Sequence, residues 1–200
     1  MKTLYTLTAF SALCFLGACG NPTGETKAPT NQAEAQKAYD TAKESLAKFS
    51  SCPTENVLTD ISTYTTTLGD TALSQEEWLA ANGKRKGVIT TASGLQYSVN
   101  KASSMTSANP PKPTQTVRVN YHGLFINGDT FDSSYDREKD IEFPLNGVIK
   151  GWTEGVGLMR PCDAWTFYIP SDLAYGPNGR GSIPPATPLV FHVQLLEITD

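Results

Sequence analysis

From Thr116 onward, apolar residues recur at every second position in short runs parted by turn residues. Val117, Val119 and Tyr121 alternate with Arg118, Asn120 and His122. Ile141, Phe143 and Leu145 repeat the device, as do Trp165, Phe167 and Ile169, then Leu189, Phe191, Val193 and Leu195. Successive side chains of a strand point to opposite faces, so each run has one face to bury and one wetter face. Amid these runs one stretch has helical spacing. Val148, Trp152 and Val156 share a side of a short helix within Val148–Met159, where Gly155 and Gly157 weaken propensity but permit close packing. The pattern predicts an α+β domain, an antiparallel β-sheet wrapped around one short helix. Gly94–Val99 opens it as a strand, and Ala108–Pro113 is a proline-rich turn.

Ahead of this domain the period changes. Ala33–Phe49 is rich in Ala, Lys, Glu and Gln, with Ala35, Tyr39, Ala42, Leu46 and Phe49 on one face, and reads as a helix. Ser50-Ser51-Cys52-Pro53 stops it. Val57, Ile61, Tyr64 and Leu68 keep helical spacing through Thr54–Gly69, which predicts a second helix despite its threonines. Ser74 with Glu77 forms a capping-box pattern before Trp78 and Leu79, predicting a third, short helix that ends near Asn82-Gly83. Lys84–Gly87 is a basic joint. A helical module at 33–87 therefore precedes the sheet domain at 88–200. Such a module packs against the main domain, forms a dimer or cradles unfolded proteins, and helical apolar spacing most often means plain packing.

Residues 1–18 read as a leader: Lys2 supplies a positive head, and the apolar run Leu4–Leu16 is too short to span a bilayer. Leu16-Gly17-Ala18-Cys19 resembles a bacterial lipobox, with an ordinary secretory signal as the alternative. That resemblance implies lipid on Cys19, a membrane anchor and, from Gly20, an address on the outer membrane; the expected placement there is periplasm-facing. Several acyl chains anchor far better than one. Residues 19–32, rich in Pro, Gly, Thr and Asn, are a flexible tether. The chain carries 16 Lys and Arg against 20 Asp and Glu, a net −4 that becomes −5 when Lys2 leaves. This mild acidity speaks against a general nucleic-acid binder. Export permits a disulfide between Cys52 and Cys162, and two buried free thiols remain the other reading. Without a Cys-x-x-Cys motif, and with only His122 and His192, no metal site is expected. Both histidines read as surface or hydrogen-bonding residues.

The strands also carry Val117-Arg118-Val119-Asn120-Tyr121-His122-Gly123, Phe131-Asp132-Ser133-Ser134, Val148-Ile149-Lys150-Gly151-Trp152, Ala174-Tyr175-Gly176 and Ile183-Pro184-Pro185. In order and spacing these resemble the FKBP-type peptidyl-prolyl cis-trans isomerases from about Ile89 to Ile198. Thr90–Tyr97 resembles the opening segment of the family's macrophage-infectivity-potentiator branch. The resemblance implies that Tyr121, Phe131, Asp132, Arg137, Val148, Ile149, Trp152, Tyr175, Ile183 and Phe191 line or brace a prolyl pocket. Trp152 is then its floor, and the Ile149 N–H and the Tyr175 hydroxyl hold substrate carbonyls. Asp132 sets the field near the twisting amide and orients Tyr121 or Arg137. Ile141 stands at a wall position often aromatic in the family, Phe143 is expected in the core unless the pairing shifts, and Ser133-Ser134 is expected to form a turn. Ser182, the short turn Asn178–Gly181 and Cys162 in place of a glycine depart from the drug-binding human members.

An aromatic cleft with few polar groups suits an uncharged substrate, and isomerisation needs no cofactor or covalent nucleophile. The partners implied are proline-containing unfolded or partly folded proteins, a second copy of the chain and macrolide inhibitors. The alternative is a chaperone or client-binding lipoprotein with a vestigial pocket.

Overall fold

The structure, a computed structural model, describes residues 33, 34, 36, 37, 40, 41, 50–59, 61, 68 and 72–199. It divides into two compact units, Met1–Asp40 and Thr41–Asp200. In the first, residues 33, 34, 36, 37 and 40 are helical, within the stretch expected to be so. The leader, Cys19 and the tether lie outside the described residues.

The second unit is built on an antiparallel sheet. Its described strands are β1 (Val88–Thr90), β2 (Gln96–Lys101), β3 (Thr116–Phe125), β4 (Thr130–Ser133), β5 (Ile141–Pro144), β6 (Ala164–Ile169) and β7 (Leu189–Thr199). They run in the order β1-β2-β6-β7-β3-β4, with β5 also on β3. The long pair β3–β7 runs from Thr116↔Thr199 to Phe125↔Leu189, with a bulge at Arg118/Val119. β1 was not foreseen; three residues, two of them exposed, give alternation too little length to register.

On the inner face lies helix α2 (Lys150–Val156); helix α1 (Gln75–Asn82) precedes the sheet in the chain. Trp152 and Val156 of α2 pack with Val117, Val119, Leu145, Phe167, Leu189 and Val193, the wheel-and-alternation pattern realised as one core. A Cβ on Gly155 would stand 2.7 Å from Phe167 Cε1, so only glycine lets the helix lie this close. Thr153 Oγ1 donates to Leu145 O at 2.7 Å and ties the helix to the turn before it.

All six residues of β6 and the first eight of β7 are buried, so the outer face is covered too. α1 does part of this. Its capping box is complete: Ser74 Oγ accepts from Glu77 N, and Glu77 Oε2 accepts from Ser74 N. The Ser74 hydroxyl also donates to Glu77 Oε2 at 2.8 Å, and this bond first, then the one from Ser74 N, holds the Glu77 carboxyl below its usual pKa. Trp78 packs on Tyr168 with ring centroids 6.1 Å apart, beside Val190, Leu68, Leu73 and Leu79, and its indole N–H donates to Leu68 O at 2.6 Å.

The segment before α1 corrects an expectation. Thr54–Asn56 is a 3-10 turn and Val57–Thr59 is irregular, not the start of a helix over Thr54–Gly69. The backbone groups a helix would use are taken by Gln194, whose side chain accepts from Leu58 N at 2.8 Å and donates to Asn56 O at 2.9 Å. Residues 60, 62–67, 69 and 70 lie outside the described set. Just upstream, Ser51 bridges to Glu197 and Cys52 N donates to Leu196 O. Cys52 and Cys162 are joined in a disulfide, Cα atoms 5.0 Å apart. Cys162 has φ 74°, a left-handed backbone that glycine adopts more readily. The segment thus lies along β7 where β6 has ended, and the described residues from 41 to 87 share one compact unit with the sheet.

His122 and His192 are buried, which excludes the surface reading. Their rings lie parallel, 6.4 Å apart. His122 Nε2 is 3.2 Å from Thr130 Oγ1, and His192 Nδ1 is 2.8 Å from Thr166 Oγ1. Burial, then the neighbouring His122, pushes the His192 pKa down to about 4.

Candidate functional site

The alternation that buries Tyr121 on β3 and Phe191 on β7 aims both at the Trp152 ring, which the α2 wheel brings to the same side. Trp152 is 5% exposed and meets Tyr121 at 5.4 Å and Phe191 at 5.1 Å, both edge to face. Phe131 of β4 stands perpendicular to Phe191 at 5.3 Å, and Phe125 backs it at 5.0 Å. A Cβ on Gly123 would meet Phe131 Cζ at 2.7 Å and Phe191 Cε1 at 3.0 Å, so a glycine in β3 makes room for this ring pair. Edge-to-face geometry sets the positive rim of one ring against the negative face of the next, which fixes the rings' orientation as well as burying them.

On β5 the structure separates two residues that share a face. Phe143 lies 5.4 Å from Trp152, and Ile141 is 38% exposed at the rim. Phe143 is therefore a wall of the Trp152 cluster as well as a core residue. Val148 and Ile149, half-buried ahead of α2, pack on the same core. Ile149 O accepts from Trp152 N at 2.9 Å and Thr153 N at 3.1 Å, while its N–H has no partner among the described residues. Tyr175 sits half-buried between two 3-10 turns and packs on the same core. Ile183 is buried, held by reciprocal 2.9 Å backbone bonds with Arg180.

One polar cluster stands at the edge of these rings. The Tyr121 hydroxyl donates to Asp132 Oδ2, Arg137 pairs with Asp132 Oδ1, and Arg137 Nη2 donates to Tyr121 Oη at 2.8 Å. The guanidinium also lies over the Tyr121 ring, 5.5 Å from its centroid. Burial pushes the Asp132 carboxyl upward, but the bonds from Tyr121 and Arg137 and the Arg137 charge outweigh it and hold the pKa below the ordinary 3.8. Burial first, then the bond to Asp132, raises the Tyr121 phenol to about 12. At neutral pH the cluster is thus a carboxylate, a neutral phenol and a guanidinium. Ser134 fixes the tyrosine backbone: its Oγ accepts from Tyr121 N at 2.8 Å and donates to Asn120 Oδ1. Ser133 Oγ accepts from Asp136 N as the chain turns, so the serine pair is tied up in local structure.

The sequence-predicted residues therefore gather at one ring cluster: Tyr121, Phe131, Trp152 and Phe191 in ring contact or one ring removed, Asp132 and Arg137 at the edge, Ile141 outermost, and Val148, Ile149, Tyr175 and Ile183 against the same core. Phe125 was not singled out, and although Gly123 and Ser134 stand inside quoted motifs, the room Gly123 makes for the rings and the hold of Ser134 on the Tyr121 backbone were not foreseen. Those roles depend on which strands pair.

The family model described as FKBP-type peptidyl-prolyl cis-trans isomerase matches residues 107–196. The model of the domain amino terminal to FKBP-type peptidyl-prolyl isomerase matches residues 21–99. This chain belongs to the FKBP-type peptidyl-prolyl isomerase family. It is 53% identical over 123 residues to the FKBP-type peptidyl-prolyl cis-trans isomerase FkpA of Aeromonas hydrophila, covering 62% of this chain and 45% of that protein. It is 48% identical over 123 residues to the FKBP-type 22 kDa isomerase of Escherichia coli K12, covering 61% and 58%. The matches span about half the length of these relatives. The crystal structure of FkpA from Escherichia coli superposes with a TM-score of 0.60 at 31% identity, covering 86% of this chain and 75% of that one.

Proposed function

We propose that this chain is a peptidyl-prolyl cis-trans isomerase that assists the folding of exported proteins. The observation that supports this most is the Trp152 ring cluster with an ionised, ion-paired carboxylate at its edge. It offers apolar surface for a pyrrolidine ring and places one fixed negative charge, held by Tyr121 and Arg137, beside it.

The chemistry asks for little more. The peptide bond resists rotation by about 18–20 kcal/mol because nitrogen conjugates with the carbonyl. Twisting the bond localises the nitrogen lone pair and weakens the carbonyl dipole, so a site that excludes water from the planar amide favours the twisted form. Binding the twisted amide better than either planar isomer is catalysis, and no covalent bond breaks. In this reading Phe131, Trp152, Ile183 and Phe191 enclose the proline ring. The Ile149 N–H and Tyr175 hydroxyl hold the carbonyls on either side, and Asp132 supplies the field without transferring a proton. Val148 and Ile141 contact the residue before proline.

The leader, with lipid on Cys19, would place the enzyme on the periplasmic side of the outer membrane, where unfolded proline-containing proteins arrive. Macrolides that mimic a prolyl amide would compete for the socket, and the helical residues near the N-terminus are the natural place for a second copy to pair.

A protease-free assay on a short Xaa-Pro peptide tests the reading. Asp132→Ala and Trp152→Ala should each lower kcat/KM by about tenfold or more, equivalent to about 1.4 kcal/mol of transition-state stabilisation, while circular dichroism shows the fold present. Unchanged rates in both folded variants would reject the site.

A further inference from the structure

β5 has a neighbour on one side only. It pairs with β3 through Thr116↔Pro144, Val117↔Phe143, Arg118↔Glu142 and Val119↔Ile141, and no described strand lies beyond it. Leu145 N donates to Gln115 O at 2.9 Å, in the same register, and this sets the phase of the ladder. In an antiparallel pair, alternate residues turn their N–H and C=O toward the partner. Phe143 and Ile141 share the phase of Leu145 and face β3, so Glu142 turns its N–H and C=O outward. Neither group has a partner among the described residues, and Glu142 is exposed. Pro144 agrees with this phase: it stands where a missing N–H costs the ladder nothing. It also shortens the open edge to a single donor–acceptor pair, which keeps that edge from recruiting other sheets.

The same strand lines the socket. Phe143 touches the Trp152 ring, and Ile141 continues that face outward at the exposed rim. The outward backbone groups of Glu142 therefore lie between two side chains of the pocket wall. We propose that the Glu142 main chain pairs with the extended polypeptide flanking the substrate's proline, adding it to the sheet as one short strand while the proline occupies the socket. The inference rests on the isomerase reading and deepens it. Main-chain pairing is indifferent to sequence, so it suits a partner that is extended and unfolded, and the exposed Ile141 adds apolar contact. A proline inside a folded helix cannot offer such an edge.

The test uses the full chain and three kinds of peptide around one Xaa-Pro bond: a tetrapeptide, a peptide extended by six residues on each flank, and extended peptides N-methylated at one flank position at a time. The extended peptide should show kcat/KM about fivefold above the tetrapeptide, the scale of two net hydrogen bonds. N-methylation at one flank position, and not at its immediate neighbours, should remove that gain. Glu142→Pro should lower the extended-to-tetrapeptide ratio toward one, whereas Glu142→Ala, which keeps the main chain, should preserve it. Equal turnover of all the N-methylated peptides, or a ratio that Glu142→Pro leaves intact, overturns the proposal. If the folded protein turns over no peptide, the isomerase reading fails by itself. Binding of the N-methyl series, read by fluorescence anisotropy, then decides the edge in the same way.

Discussion

β7 presents Phe191, Val193 and Leu195 to one side of the sheet and His192 and Gln194 to the other, and both sides are buried. On the inner side the rings of Tyr121, Phe131 and Phe191 gather around Trp152, and the polar groups stay at the edge as a self-satisfied cluster of Tyr121, Asp132 and Arg137. On the outer side Thr166, His192 and Gln194 are buried outright, each with a bonded partner: Asn100 and His192 for Thr166, and the Asn56 and Leu58 backbone for Gln194. An apolar wall can be left for a ligand to cover, because its rings, apart from the buried Trp152 indole N–H that finds no partner among the described residues, have no hydrogen bond to lose when dry. A buried polar wall needs its partners built in, and this protein supplies them from β2 at Asn100, from the sheet's own Thr166–His192 contact and from the Asn56–Leu58 backbone. The inner face is finished for exchange and the outer face for permanence.

Disturbing the outer face alone is the sharpest way to break this contrast. Trp78→Ala should cost about 3–5 kcal/mol in urea unfolding, the usual price of a truncated buried tryptophan, while the folded fraction keeps wild-type isomerase kcat/KM. A folded variant with low activity would show that the two faces are coupled. Reducing the Cys52–Cys162 bond comes next. It opens a link between positions 110 residues apart, and loop entropy assigns such a link at most about 5 kcal/mol. Urea midpoints with and without a dithiol measure it, and identical midpoints would mean that Gln194 and the β7 contacts suffice to hold the segment.

Acid should act on the outer face last. His192 titrates near 6.5 when unfolded and at about 4 in the fold, because burial disfavours the cation. Between those values the unfolded chain binds a proton that the native state refuses. Stability present above pH 6.5 is therefore lost as pH falls toward 4, by roughly 3 kcal/mol. Unfolding curves at pH 7 and pH 4.5 for wild type and His192→Gln should show a smaller loss in the variant; equal losses would place the acid sensitivity elsewhere. His122, also lowered by burial, contributes in the same direction.

Much of the inner face was legible because it repeats. Alternation in β3, β6 and β7 and the Val148–Trp152–Val156 spacing each name their buried side without knowledge of the neighbours. The capping box at Ser74 and Glu77 was equally readable, since its bonds close within four residues. β1 escaped because three residues carry no period. The helix expected at Thr54–Gly69 does not begin at Thr54, because Gln194, more than 130 positions away, takes the Leu58 N–H and Asn56 carbonyl. Phe143 and Ile141 share one face, and only the turn of the chain into α2 decides which of them reaches Trp152.

By itself the sequence determined which residues go inside and, through its ordered motifs, which family the chain belongs to, because periodicity and local hydrogen bonding are properties of neighbours along the chain. The tertiary structure alone decided that the segment around Cys52 seals the back of β7, that two histidines lie stacked and dry, and that Glu142 turns its backbone to solvent beside the socket. Those outcomes depend on strand order, register and a side-chain clamp between distant residues, none of which a one-dimensional pattern contains.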